Sequence, residues 1–514
     1  MGINQATGTA KAGADVATGA TTARAAGKDA VGRDAVGRDA AGRDAAGTFL
    51  DYGRIAELAL AAEPSAERVN AILAKARLLR GLTSAEAAEL AAIRDAGSLS
   101  LLLQTAGEVK RAIYGKRMVL FAPVYTGNHC VNDCVYCGFR ASNRSLRRVV
   151  LSKAEIARQA ELLLAQGHKR LLVIAGESPK QDLAHILQAI DACYSVQVNG
   201  ARVRRINVEL APLTVEGFRS LKAAKIGTYV CFQETYDPEL YAAAHPSGPK
   251  ADYRNRLYVM DRAMEGGCDD VGLGALFGLG NWRYELVAML EHARHLEEQF
   301  GCGPHTVSVP RIEYAEGAPA AEVVPNPVSD DDFRKLVAIL RVTLPYVGII
   351  LSTRERTSFR KELLAYGVSQ ISAGSRTDPG GYDEDSRDAA AEASAPGAGA
   401  SGQFALGDTR GLEEVISDLV DDGYVPSFCT GCYRKGRTGA DFMDLAKPGL
   451  IKEFCLPNGL VSFAEYLYDY ASPATREKGL ALIQAMKAEA TEKTRPYLDK
   501  ALADTAAGAR DLYR

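Results

Sequence analysis

Three cysteines fall within eight residues of "GNHCVNDCVYCGF": Cys130, Cys134 and Cys137, spaced C-x3-C-x2-C. Three thiolates leave a structural zinc site one ligand short, and they do not pair off as disulfides. They suit three corners of a cubane iron–sulfur cluster whose fourth iron stays open to a small molecule. A zinc site completed by His129 or by a remote residue is the plainer alternative. A second set, Cys429, Cys432 and Cys455, is spaced C-x2-C-x22-C. No histidine follows His305, and the second close pair of a zinc ribbon is missing. A second cluster with an open iron is therefore expected there, with structural zinc as the alternative. The other four cysteines (Cys193, Cys231, Cys268, Cys302) are scattered, and buried packing is their expected role.

The elements that position these residues change along the chain of 514 residues. Residues 1–47 are low-complexity: "GKDAVGRDAVGRDAAGRDAAG" repeats every five residues, which matches neither the helical nor the strand period. Its small side chains bury too little to offset ordering entropy, so a disordered tail is expected, with a frayed Ala-rich helix as the weaker reading. Residues 48–116 read as helices, with a capping box at Thr83 and Glu86. From 117 to 376, eight short apolar runs alternate with amphipathic stretches: "MVLFAP", "RLLVIAG", "INVEL", "GTYVCF", "DVGLGAL", "HTVSVP", "VGIILS" and "SQISAG". A second capping box, Ser152 with Glu155, opens the helix between the first two runs. This pattern predicts an α/β fold, a parallel (β/α)8 TIM-type barrel, with a doubly wound open sheet as runner-up. The N-terminal helices precede the barrel, a flexible loop at 377–402 follows it, and a mainly helical C-terminal cluster-binding domain at 403–514 ends the chain. In a barrel the loops after the strands carry the chemistry, and the first cysteine set follows the first strand.

Composition narrows the function. Lys plus Arg number 61 against 64 acids, a net charge of −3, which gives no footprint for nucleic acid or an anionic membrane. No apolar run reaches the roughly 18 residues of a transmembrane helix, and the first residues carry no apolar signal-peptide core. Clustered cysteines without an export signal point to a reducing cytoplasm. The Ala- and Thr-rich start leaves an organelle transit peptide as an alternative.

"CVNDCVYCGF" resembles the signature of the radical S-adenosylmethionine (SAM) superfamily, in its spacing and in the aromatic residue before the last cysteine. The resemblance implies that the open iron chelates SAM and that a 5′-deoxyadenosyl radical abstracts hydrogen from the substrate. It also implies cofactor roles for Tyr136 and Phe139 and a SAM-binding turn after the next strand, here Ala175, Gly176 and Glu177 in "IAGESP". Glu209 in "NVEL" is a further candidate for the SAM ribose or amine; a rim carboxylate is the bland reading.

A radical SAM core followed by C-x2-C-x22-C is similar to the hydrogenase maturase G family, the tyrosine lyases that mature FeFe-hydrogenase. "LFAPVYTGNHC", "CFQETY", "HPSGPK", "GPHTVSVPRI", "QISAGSRTDPGGY" and "PSFCTGCYRKGRTGADFM" carry the likeness, over about residues 117 to 475. The family implies cleavage of the Cα–Cβ bond of L-tyrosine to p-cresol and dehydroglycine. Carbon monoxide and cyanide then form at the C-terminal cluster, and an Fe(CO)(CN) synthon passes to the hydrogenase H-cluster. It implies two 4Fe-4S clusters, the second with an additional labile iron and free cysteine. His305 matches the ligand of that iron. The further partners implied are an electron donor such as ferredoxin or flavodoxin and other hydrogenase maturation proteins. For the substrate carboxylate, a planar guanidinium fits best. "LSTRERTSFR" offers Ser352, Thr353 and Arg354, with Arg356 or Arg360 as substitutes. Gln233 and Glu234 are expected to face the barrel interior. The alternatives are 2-iminoacetate synthase of thiamine thiazole synthesis, which lacks the C-terminal cysteines, biotin-synthase-like chemistry, and a non-catalytic Fe–S or zinc carrier.

Overall fold

The computed structural model describes residues 47–383 and 402–514. The pentapeptide repeat and most of the expected flexible loop lie outside the described residues.

Eight parallel strands form where the eight apolar runs stand: β1 (Arg117–Gly127), β2 (Arg170–Ala175), β3 (Arg205–Glu209), β4 (Thr228–Val230), β5 (Asp270–Gly274), β6 (Thr306–Ser308), β7 (Gly348–Leu351) and β8 (Gln370–Ser372). Each pairs with the next, and β8 pairs back onto β1 through Val119 and Gln370, which closes the sheet into a TIM-type barrel. The runner-up, an open doubly wound sheet, is thereby ruled out. Both capping boxes form: the Thr83 and Ser152 hydroxyls accept from the backbone N–H of Glu86 and Glu155, whose carboxylates accept from the Thr83 and Ser152 N–H in return. The helix from Lys153 to Gln166 stops at Gly167, whose φ of 106° lies in the left-handed region. Four helices spanning Tyr52 to Tyr114 precede the barrel, and the third and fourth pack against the outer helix Asp330–Thr343.

Two features depart from expectation. The C-terminal region supplies a ninth strand, β9 (Val425–Ser427), parallel to the first residues of β1 with Arg117 opposite Val425 and Val119 opposite Ser427. At 11 residues β1 is long enough for this: β9 takes the edge of its first residues, and β2 takes over from Ala122. The region is thus fastened to the barrel sheet rather than set beside it. In addition, the opening residues of the expected flexible loop are fixed. Tyr382 is buried and donates its hydroxyl to the Pro123 carbonyl (2.8 Å), while Gln403 N–H donates to the Thr377 carbonyl (3.0 Å).

Candidate functional site

The first cysteine set lies on the loop that leaves β1 at the C-terminal mouth of the barrel. Arg148 clamps this loop by donating to the carbonyls of Asn128, Phe139 (both 2.7 Å) and Arg140 (2.6 Å). Asp133 and Arg140 form a two-pronged ion pair at 2.9 and 2.8 Å, which holds the Asp133 carboxyl well below its ordinary range. The turn after β2 packs onto the same loop. Val131 N–H donates to the Glu177 carbonyl (2.8 Å), and Asn132 Nδ2 donates to the Glu177 carboxylate (2.6 Å). Gly176 is required there, since a Cβ would stand 2.3 Å from the His129 carbonyl oxygen. That carbonyl also accepts from Gln181 Nε2 (2.7 Å), which fixes the backbone of His129. Phe139 packs with Tyr125, Leu146 and Ile174 beside Cys130 and Cys137. The Tyr136 hydroxyl hydrogen-bonds with His245 Nε2 (2.8 Å).

Inside this mouth lies a cavity of about 820 Å³, its opening included. Tyr125, Glu209, Phe232, Ser352, Arg354 and Gln403 are among its walls, with Thr353 and Phe404. Arg354 has no ion-pair partner among the described residues, and its guanidinium lies over the Phe404 ring, 3.4 Å from the centroid. The two substitutes are committed elsewhere: Arg356 pairs with Asp330 (2.6 Å), and Arg360 pairs with Asp408 and donates to the Ser372 carbonyl. The structure thus separates three arginines that the sequence could not. Burial, with a smaller push from Glu234, raises the Glu209 carboxyl to about 7. Glu234 is buried too, but Lys250 (2.6 Å) and Arg256 (3.6 Å) outweigh the burial and hold its carboxyl below its ordinary value.

Gln233 and Glu234, expected to face the barrel interior, are buried beyond the end of β4 but are not among the walls of this cavity, where Val230 and Phe232 stand. Ala175, Gly176 and Glu177 stand at the same mouth, against the first cysteine loop. They line a separate cleft with Val131 and Pro249, while Leu172 and Ile174 of the same strand face inward.

The second cysteine set lies at the opposite, N-terminal mouth. Cys429, Cys432 and Cys455 line a cavity there with His305, Arg117, Arg170, Tyr433 and Asn458. Cys429 follows β9, and Cys455 stands in the first turn of the helix Lys452–Asp469. The end of the chain folds over this site: Arg514 N–H donates to Asn458 Oδ1 (2.8 Å), and Arg437 Nη2 donates to the Arg514 carbonyl (2.6 Å). His305 Nε2 hydrogen-bonds with the Tyr433 hydroxyl (2.9 Å), while Nδ1 stands 3.5 Å from Asp270 Oδ1 without a hydrogen bond. Burial lowers the imidazole to about 4 against the pull of Asp270, so it is neutral near pH 7, the form that binds metals.

Both sites fit the clusters expected of them. All six cysteines are free thiols. Burial, then the neighbouring sulfurs, pushes Cys137 up to about 12; burial does the same to Cys455, with Arg117 opposing. Such thiols stay protonated until a metal's charge stabilises the thiolates. Around the N-terminal mouth, five buried arginine nitrogens lack partners among the described residues, Nε of Arg117, Arg170 and Arg437 and Nη1 of Arg205 and Arg514, against one unpartnered carboxylate oxygen, Oδ2 of Asp270 beside His305 Nδ1. A negatively charged sulfur-ligated cluster would answer this excess of donors.

Gln370 lines both cavities. Asn207 in the upper cavity accepts from Arg205 Nε (2.6 Å), whose guanidinium covers the ring of Tyr433 in the lower one. Sequence reasoning also missed the segment 402–408, which crosses the C-terminal mouth. Its Ala405 N–H donates to the Tyr314 carbonyl (2.8 Å), and its Gly407 N–H donates to the Thr353 carbonyl (2.9 Å). Among the described residues no helix is long and apolar enough to cross a membrane.

Comparison with known proteins agrees with this geometry. Residues 124–293 match the Radical SAM superfamily, and residues 308–425 match the Biotin and Thiamin Synthesis associated domain. The second cysteine set lies beyond both. The 2-iminoacetate synthase of Escherichia coli (strain K12) is 31% identical over 335 residues, 64% of this chain and 82% of its own. Crystal structures of HydG, a maturase of the [FeFe]-hydrogenase, are similar over nearly the whole chain. One is 44% identical with a TM-score of 0.86, covering 91% of this chain and 100% of that one. The other, from Carboxydothermus hydrogenoformans, is 40% identical with a TM-score of 0.75, covering 88% and 97%.

Proposed function

The chain belongs to the HydG family within the radical SAM superfamily, and on that premise we propose that it is a maturase of FeFe-hydrogenase that cleaves L-tyrosine at Cα–Cβ. The products are p-cresol and dehydroglycine. The second fragment gives carbon monoxide and cyanide, delivered as an iron–carbonyl–cyanide unit for the H-cluster. The single observation that carries this reading is the placement of two three-thiol sets at opposite mouths of one barrel whose cavities share Gln370. A tyrosine lyase alone needs the first set and has no use for the second.

Cys130, Cys134 and Cys137 would hold a 4Fe-4S cluster that binds SAM. When bound, that pair supplies a carbon radical able to abstract hydrogen. The chain's own residues do the rest. Arg354 offers a free guanidinium to the substrate carboxylate, with its plane set by Phe404. Ser352 adds a hydroxyl to the same wall, and Phe232 and Phe404 supply flat apolar surface for an aromatic ring. The segment 402–408 covers the mouth and limits water. At the far mouth Cys429, Cys432, Cys455 and the neutral His305 would hold the second 4Fe-4S cluster with its labile iron and free cysteine. Arg117 and Arg170 provide a cationic wall suited to anions. Ferredoxin or flavodoxin as electron donor, other maturation proteins as recipients, and a cytoplasmic setting complete the proposal.

The test is carbon monoxide release. The protein is reconstituted anaerobically with iron and sulfide. SAM, reductant, cysteine and tyrosine follow, with a haem protein as trap. Wild type should release carbon monoxide, and a Cys429→Ala/Cys432→Ala variant should lose it while p-cresol continues to form. If wild type makes p-cresol and no carbon monoxide, the protein is a tyrosine lyase of the 2-iminoacetate synthase kind.

A further inference from the structure

Gln403 stands where the segment 402–408 meets the first cysteine loop. Its backbone is fixed at both ends: the N–H donates to the Thr377 carbonyl, and the carbonyl accepts from Gly138 N–H, both at 3.0 Å. Its side chain is fixed as well. The Tyr125 hydroxyl donates to Oε1 (2.8 Å), which leaves Nε2 pointing at Cys137 Sγ, 3.7 Å away. A thiolate repels the amide oxygen and attracts the N–H, so this is the one attractive orientation once the sulfur is charged. The contact spans 266 residues of sequence, from the C-terminal region to the β1 loop. Cys130 receives a similar amide N–H, from Asn132 Nδ2 at 3.7 Å, but that residue belongs to the loop itself.

We propose that Gln403 is a positioning residue whose amide, oriented by Tyr125, donates to Cys137 and raises the reduction potential of the cluster held at the first cysteine set. Hydrogen bonds to ligand sulfur favour the reduced cluster because reduction adds negative charge to the sulfurs. Gln403 adjoins Phe404, on which the Arg354 guanidinium lies. The residue that sets the cluster's electrostatics is therefore next in sequence to the ring beneath the proposed substrate clamp. The inference rests on the reading that Cys130, Cys134 and Cys137 hold a redox-active cluster.

An EPR-monitored redox titration of the reconstituted full-length protein tests it, using the signal that SAM perturbs. Gln403→Leu removes the donor, and Gln403→Glu replaces it with a carboxylate of the same shape. The midpoint should fall in the order Gln, Leu, Glu. At the wild-type midpoint the reduced-to-oxidised ratio should drop roughly three- to tenfold in Gln403→Leu, the factor that a hydrogen bond's net worth corresponds to. Tyr125→Phe frees the amide to rotate and should lower the midpoint by less than Gln403→Leu does. A SAM-sensitive signal whose midpoint is the same in all four proteins overturns the inference and leaves the proposed function standing. Absence of any SAM-sensitive signal in wild type overturns both. A purely structural role for Gln403 would lower cluster content without producing this order of midpoints.

Discussion

The two mouths of the barrel each carry three cysteines, yet they are built for opposite charges. At the C-terminal mouth the cysteines come from one short loop, and the ionisable groups around them are of mixed sign: Glu209 and Glu234 face Arg354, Lys250 and Arg256. An amino acid, itself a zwitterion, suits such a site. At the N-terminal mouth the cysteines are gathered from a loop and two helices, and the groups around them are almost all cationic: Arg117, Arg170, Arg205, Arg437 and Arg514, with Asp270 behind His305. Cyanide, thiolate and carboxylate groups suit that one. The number of cysteines alone therefore does not tell what a site handles; the surrounding charge does.

The sharpest break in the comparison comes from removing one set at a time. Cys134→Ser should abolish p-cresol and carbon monoxide together, measured by chromatography and by the haem trap. Loss of carbon monoxide alone in Cys134→Ser would mean that the roles of the mouths are reversed. Next in size is Arg354→Ala. A charged hydrogen-bonded contact is worth about 1.5–3 kcal/mol, so KM for tyrosine should rise roughly ten- to a hundredfold. Arg356→Ala, which removes a largely exposed pair with Asp330 and a contact with the Phe359 ring, both away from the cavity, should leave KM within about twofold. Equal effects from the two would take the carboxylate clamp away from Arg354.

The upper mouth was only partly legible in the sequence. The eight strands were readable because buried parallel strands are apolar runs cut by amphipathic helices. The cysteine sets were readable from spacing. Position 354 was not separable from 356 and 360, because what distinguishes them is their partners, Asp330 and Asp408, on other elements. Gln233 lies beyond the three-residue β4, where no strand alternation fixes the direction of a side chain from sequence. Strand β9 escaped notice because three residues around Pro426 carry almost no strand signal. The 402–408 segment was invisible for a stronger reason: the Tyr125–Gln403 contact joins residues 278 apart.

A pH-dependent stability should belong to the upper mouth. Glu209 is raised to about 7, first by burial and then by Glu234. An acid that binds its proton more tightly folded than unfolded stabilises the folded state below its unfolded value, 4.5, relative to higher pH. That contribution is lost as pH rises from there to about 7, and it is level above. The melting temperature of metal-free protein should therefore carry a downward component across this window, and Glu209→Gln should flatten it. An unchanged slope in Glu209→Gln would mean that Arg354 and Lys250 already compensate the charge.

The smallest effect tests whether the two mouths work in series. Gly348 begins β7 and lines the lower cavity, and a Cβ there would stand 2.2 Å from Gln370 Nε2. Gln370 is the side chain that borders both cavities, and its amide is the movable end of a flexible chain. Gly348→Ala should therefore push that amide aside without unfolding the barrel, repacking the side chain that stands between the two cavities. If dehydroglycine passes through the barrel, p-cresol formation should hold while the ratio of carbon monoxide to p-cresol falls a few-fold. If the fragment instead leaves by the upper mouth and re-enters from solvent, the ratio should stay at the wild-type value. It should then fall when the reaction is diluted, because capture at the lower mouth would depend on protein concentration.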